Sequence, residues 1–228
     1  MRVALVTVGD EILTGDTPNT NAAWLGEQLT GQGVTVERMT VVPDRVADIA
    51  RVVNEYRAEY EAVVVTGGLG PTHDDVTMSA VAAAFGANLA PDEAVRERLH
   101  EQGYTDDDLA PGTLQIPERG ESLPNPRGVA PGCVVGTVYV LPGPPVEMRA
   151  MFEQIRDQFD GDTTHVETVE TPEPEKQLLD RIAGVRERFD VTLGSYPGET
   201  VTLKIQSNDP EAVTAAADWL CERVDPVE

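Results

Sequence analysis

The sequence predicts an α/β fold built on a mainly parallel sheet and followed by a small α+β module. Three observations carry that expectation. Short apolar runs rich in valine and alanine alternate with longer segments whose apolar residues recur at helical spacing. Strand and helix alternate three times in the first 85 residues, which demands right-handed crossovers and hence parallel pairing. After Asp160-Gly161-Asp162 the order changes to strand, helix, hairpin, helix, so a domain boundary is set near 162. The expected division is 1–162 and 163–228.

Arg2 to Val8 reads as a first buried strand. Pro18 to Gln32 reads as a helix with Ala22, Leu25 and Leu29 on one face, Thr17 as N-cap and Pro18 at the first helical position. A second strand, Val34 to Val42, leads through Pro43-Asp44 into a helix with Val46, Ile49, Val52, Val53 and Tyr56 inward. Ala62 to Thr66 is the third strand, and a helix from about Val76 to Phe85 follows it. A helix near Asp92 to Gln102 comes next. Tyr104 to Pro131, rich in proline and glycine, reads as an irregular cover along one edge of a site. Val134-Val135 and Thr137 to Leu141 form a tight strand pair around Gly136, and a helix from Val146 to Gln158 follows Pro142-Gly143-Pro144-Pro145. The module beyond is a strand (His165 to Val169), a helix (Pro174 to Arg188), a hairpin (Val191 to Tyr196 with Val201 to Ser207) and a helix (Pro210 to Arg223).

Forty acids against seventeen bases give a formal net charge of −23, spread along the chain. Lys176 and Lys204 are the only lysines. Such a chain resembles a protein of a high-salt cytoplasm, and screening by salt should relieve its self-repulsion. Nucleic acid is excluded as a partner because no basic stripe exists to replace phosphate counterions. A membrane is excluded because no apolar stretch approaches the ~20 residues of a span, and with no signal peptide the expected location is the cytoplasm. A homo-oligomer, dimer or trimer, is the default assembly. Cys133 and Cys221 fit no metal or redox spacing and read as two buried thiols.

Chemistry concentrates at Thr66 to Thr77, T-G-G-L-G-P-T-H-D-D-V-T, directly after the third strand. Gly67, Gly68 and Gly70 can take positive φ and let backbone N–H groups approach a phosphate without any side chain. The loop has no lysine, and Asp74 and Asp75 would repel a phosphate unless a cation intervenes, so a divalent metal enters the functional reading. The plain alternative is that either Asp caps the following helix. In a parallel sheet ligands bind beyond the carboxyl ends of the strands. That gathers Gly9-Asp10-Glu11 and Asn19-Thr20-Asn21 after strand one, Asp44 after strand two and Pro142-Gly143 after a later strand. Several carboxylates on one rim are costly to keep ionised, which strengthens the case for a cation. Asp44 also suits an N-cap, Glu11 a loop hydrogen bond, and Asn19 and Asn21 capping or packing. His73 can serve as acid, base or metal ligand, or as a solvated loop residue. His100 falls in a surface helix and His165 in the other module. No Ser-His-Asp set or cysteine nucleophile is evident, which favours metal-assisted attack on a pyrophosphate or nucleotidyl transfer over covalent catalysis.

Gly9 to Asn21 (G-D-E-I-L-T-G-D-T-P-N-T-N), Thr66 to Thr77, Pro124 to Gly132 (P-N-P-R-G-V-A-P-G), Leu141 to Met148 (L-P-G-P-P-V-E-M) and Gly194 to Pro197 (G-S-Y-P) resemble the N-terminal region of competence/damage-inducible protein A, in the molybdopterin-binding domain superfamily. The resemblance covers nearly the whole chain. It implies a three-layer α/β/α domain that binds a pterin or nucleotide, and a hydrolase activity of ADP-ribose pyrophosphatase type dependent on Mg²⁺ or Co²⁺. Asp44 and Asp75 match the two catalytic positions of related molybdopterin adenylyltransferases. Glu11, Asp44, Asp74 and Asp75 are then the metal candidates. Gly9, Asp10, Glu11, Asn19, Asn21, Thr66, Gly67, Gly68, Leu69, Gly70, Thr72, Pro142 and Gly143 are the ligand candidates. Molybdopterin binding or adenylation and a non-catalytic nucleotide-binding module are the alternatives. The nicotinamide-nucleotide deamidase domain of long members is not expected here, and Pro144 stands where valine is commoner.

Overall fold

The computed structural model describes residues 1–161 and 164–227. The chain forms two compact units, the first comprising Met1–Thr30 and Val34–Gly161, the second taking in the described residues from Thr164 onward. The boundary expected between 162 and 163 lies outside the described residues.

The first unit runs β1 (Arg2–Val8), α1 (Asp10–Thr14), α2 (Thr20–Gly31), β2 (Thr35–Val42), α3 (Val46–Glu59), β3 (Ala62–Thr66), α4 (Thr77–Ala84), β4 (Leu89–Pro91), α5 (Glu93–Glu101), β5 (Gln115–Pro117), β6 (Glu121–Leu123), β7 (Gly132–Val135), β8 (Val138–Leu141) and α6 (Pro145–Ile155). Six strands form one sheet in the order β2-β1-β3-β8-β7-β6. The first three pairings are parallel, and β7 and β6 extend the sheet antiparallel.

Side-chain alternation divides this sheet into two buried faces. Val3, Leu5, Val64, Tyr139 and Leu141 pack with Leu25 and Leu29 of α2 and with Met148, Met151, Phe152 and Ile155 of α6. Val6, Val8, Val63, Val65, Val138 and Val140 face the other way, onto Ile49, Val52 and Val53 of α3 and Ala80, Val81 and Ala84 of α4. A strand covered on both faces has no polar side, which is why the five residues of β3 are all buried and read as one apolar run. Helices on both faces of a mainly parallel sheet make the three-layer α/β/α architecture. The helix after β1 lies on one face and the helix after β3 on the other, so the crevice between the carboxyl ends of these neighbouring strands is a topological switch point.

Several local expectations are corrected. The helix expected from Pro18 begins at Thr20, because Asn19 rather than Thr17 caps it, accepting the Ala22 N–H at 3.2 Å. Val46 is the first residue of α3 and lies exposed, whereas Ile49, Val52 and Val53 are buried. The stretch 104–131 is not uniformly irregular, since β5 pairs with β4 and β6 joins the main sheet. Cys133 is buried, with its thiol pushed up to about 12 by burial, but Cys221 is exposed.

The second unit comprises β9 (His165–Thr171), α7 (Glu175–Arg188), β10 (Thr192–Pro197), β11 (Val201–Ser207) and α8 (Pro210–Cys221). Its antiparallel sheet, β10-β11-β9, is covered by its own core of Leu178, Val185, Leu193, Leu203, Ile205, Val213 and Leu220. Among the described residues no helix is long and apolar enough to cross a membrane.

Candidate functional site

A cleft of ≈ 730 Å³ opens at the carboxyl ends of β1, β2, β3 and β8. The loop after β3 forms its floor. Gly67 and Gly68 carry φ of 99° and 63°, conformations that side chains rarely adopt. The Gly67 N–H donates to the Leu141 carbonyl at 3.1 Å, which ties the loop to the end of β8, and the Thr77 N–H donates to the Gly68 carbonyl at 3.2 Å. Gly70 differs from the expectation, because its φ is not positive. It is glycine for space, since a Cβ there would meet the Asp75 carboxylate 2.5 Å away.

Asp75 does not cap α4, whose N-cap position is Val76 without a side-chain bond. Its carboxylate instead accepts from the Thr72 N–H at 3.0 Å and the Thr72 hydroxyl at 2.6 Å, closing the turn on itself. The Thr72 hydroxyl also reaches Asp74, so its single proton is shared between the two carboxylates, and that contact holds the Asp74 carboxyl below the ordinary carboxylate range. The N-cap position of α3 likewise belongs to Arg45, not Asp44. Asp44 reaches across to α1 and accepts the Asp10 N–H at 2.8 Å. Burial is the main cause raising the Asp44 carboxyl above its ordinary value, with the charges of Asp10, Glu11 and Asp74 adding to it and the Asp10 bond opposing. The gathering of acids at one sheet end is therefore felt as an electrostatic load on Asp44.

That load has a sign. A carboxyl raised in the folded state favours folding at pH values below its unfolded value, and the contribution is lost as pH rises through the folded value. Asp44→Asn can still accept the Asp10 N–H, so it is expected to raise the melting temperature at pH 7, with the gain shrinking toward about pH 4. Thermal melts at the two pH values check this, and a variant less stable than the parent at pH 7 would refute it.

Of the residues singled out from sequence, Gly9, Glu11, Asn19, Asn21, Asp44, Thr66, Gly67, Gly68, Leu69, Gly70, Asp74, Asp75, Pro142 and Gly143 line the cleft. Asp10 does not, and contributes its backbone N–H to Asp44 instead. Thr72 lines a smaller neighbouring cavity of ≈ 210 Å³. The His73 side chain is 99% exposed and lies 3.9 Å from Asp74. Asn19 exchanges bonds with the Thr7 hydroxyl as well as capping α2, and the Asn21 amide nitrogen donates to the Gly143 carbonyl at 2.7 Å. The Asn21 amide oxygen and the Thr66 hydroxyl, both on cleft-lining residues, are buried without a hydrogen-bond partner among the described residues. Buried polar atoms left unpaired cost on the order of 1–3 kcal/mol each, so a ligand that donates to them would be favoured.

Residues not anticipated also reach the cleft: Val129 and Ala130 from the proline-rich segment, and Glu147 from the first turn of α6. The signal available for Glu147 was its place inside L-P-G-P-P-V-E-M, one turn after the Pro142 loop. Among the described residues no three His, Cys, Asp or Glu side chains converge into a metal-holding group. A cation shared between one or two carboxylates and a ligand's phosphate oxygens needs no such group, and the acids on the cleft wall fit that arrangement.

Residues 4–160 match the family model described as a probable molybdopterin binding domain. The chain belongs to this molybdopterin-binding family. Some of its relatives are CinA-like proteins. A CinA-like protein of Salinibacter ruber is 36% identical across 100% of the chain, which spans 58% of that relative. A protein of Archaeoglobus fulgidus is 38% identical, with 95% of each chain covered. The solved structure of the protein CinA from Thermoplasma acidophilum is 37% identical and superposes with a TM-score of 0.64, covering 69% of this chain and 97% of that one. The molybdopterin-binding family's matched span contains the whole cleft, since every lining residue lies between Thr7 and Glu147.

Proposed function

We propose that the cleft binds a phosphate-bearing pterin of the molybdopterin class. The observation that carries this reading is the Gly67–Gly68 turn. Two successive positive-φ glycines after a buried strand turn the chain at a sheet switch point, and since the Gly67 N–H is held by the Leu141 carbonyl, a phosphate falls to the N–H groups that follow it in the loop, without a basic side chain. Membership of the molybdopterin-binding family supports the pterin, and the unpaired Asn21 oxygen and Thr66 hydroxyl supply polar partners for ring or hydroxyl donors. Calorimetric titration with 6-hydroxymethylpterin diphosphate is the test. The expected result is saturable binding that inorganic pyrophosphate competes away, and no binding at millimolar ligand would overturn the proposal.

A second reading, hydrolysis of a nucleotide pyrophosphate such as ADP-ribose, rests on the acids that line the same cleft. Water attacks one phosphorus, the bridging P–O bond breaks, and AMP leaves with ribose phosphate. Asp75, fixed by Thr72, orients the water, and Asp44, on the opposite side of the cleft opening and bonded to the Asp10 N–H, takes its proton. Mg²⁺ or Co²⁺ bound by Asp44 and Asp75, with Glu11 and Asp74 in support, would offset the phosphate charge. AMP release from ADP-ribose with either metal, lost in Asp75→Asn, would favour this reading. Pterin binding without turnover would leave binding or adenylation in cofactor biosynthesis. Nucleotide binding alone, with no turnover, would mark a non-catalytic module.

A further inference from the structure

The proline-rich segment closes on the cleft through one buried amide. Asn125 is fully buried. Its Nδ2 donates to the Ala130 carbonyl at 2.9 Å and to Glu147 Oε2 at 2.7 Å, and its Oδ1 accepts the Arg127 N–H at 3.1 Å. The amide therefore clamps the 125–130 turn and fixes the Glu147 carboxylate at once. Gly128 completes the clamp, because a Cβ there would run into that carboxylate. No cation pairs with Glu147 among the described residues, and Oε1 has no hydrogen-bond partner among them. A pre-oriented acceptor thus stands on the wall of a cleft whose glycine loop is suited to anions. A ligand phosphate would be repelled by this carboxylate and drawn to the backbone N–H groups, leaving the neutral ring for Glu147.

We propose that Glu147 selects the ring of the ligand by accepting hydrogen bonds from an adjacent N–H and NH₂, the edge shared by pterin and guanine. This rests on the reading that the cleft holds a phosphate-bearing ring compound. Adenine offers an amino group beside a ring nitrogen lone pair, and that lone pair faces the carboxylate unfavourably. A site built around an oriented acceptor, half-buried and held by a buried amide, rejects a ring that cannot satisfy it more strongly than an apolar pocket rejects a misfit. Asn125 also dictates what an amide at position 147 would do. Its Nδ2 can pair only with an acceptor, so in Glu147→Gln the amide oxygen takes that bond and the NH₂ turns toward the cleft. The preference then inverts toward adenine.

Binding of guanosine, inosine and adenosine diphosphates, with inorganic pyrophosphate as control, tests this on the full chain. The wild-type protein is expected to bind GDP about tenfold or more tightly over ADP, with IDP between them, and Glu147→Gln is expected to bind ADP at least as well as GDP. Equal affinity of the wild type for GDP and ADP overturns the assignment, whether or not the variant folds. So does a GDP preference that Glu147→Gln retains. Pyrophosphate binding with no ring preference sinks only the role of Glu147. Failure of the wild type to bind pyrophosphate, any of the nucleotides or the pterin diphosphate sinks the proposed function and this inference together.

Discussion

Gly67→Ala is expected to lose both ligand binding and stability, with a melting temperature lower on the order of 5 °C or more. Two costs combine at this position. At φ 99° a side chain forces a sparsely populated backbone conformation, worth roughly 1–3 kcal/mol. A Cβ would also strike the backbone carbonyl oxygen of Val8, which cannot step aside because β1 is paired on both sides. The loop or the end of β1 must move, and the cleft floor moves with it. Gly15→Ala separates the two costs. Gly15 has φ 81° with nothing within 4 Å of the added atom, so it pays for conformation alone. Thermal melts and pyrophosphate titrations of both variants check the expectation, and a Gly67→Ala protein as stable and as binding-competent as Gly15→Ala would refute the crowding argument.

Phe152→Ala is expected to cost about 3–5 kcal/mol, a large share of the roughly 5–15 kcal/mol that holds a typical domain folded. Phe152 is fully buried on the α6 face of the sheet. Its ring meets Trp24 edge-on at 5.5 Å and stacks on Phe159 at 5.7 Å with an interplanar angle of 24°. Truncation removes both contacts and leaves a cavity between α2, α6 and the sheet that surrounding rings fill only in part. Phe152→Leu keeps most of the volume and should fall well short of that loss. Urea unfolding of the two variants measures the difference, and equal midpoints would show that the cluster repacks.

Much of the fold was legible because periodicity records burial. β3 is apolar throughout as a strand covered on both faces must be, and Ile49, Val52 and Val53 share one stripe of α3. The cleft was legible for a topological reason: loops after parallel strands gather at one sheet end, so Asp44, Asp75, Glu11 and Gly67 could be grouped before any contact was known. Hydrogen-bond partners were not. Asp44 looks like an N-cap of the helix that follows it, yet it caps the start of α1, a bond spanning 34 residues. Asp74 and Asp75 look like caps of α4, yet Thr72 takes both. Local signals name a residue able to accept a bond and leave open which donor arrives. The short strands at 115–117 and 121–123 escaped notice because three-residue elements carry too little period to read.

The sequence by itself determined the α/β order, the two apolar faces of the sheet and the glycine turn with its acids, because each is a property of neighbours along the chain. The tertiary structure alone decided that Gly70 is glycine to admit Asp75, that Asp10 turns its backbone and not its carboxylate to the site, and that Glu147 joins the cleft held by Asn125. Those outcomes depend on distances between segments far apart in sequence, which no local pattern encodes.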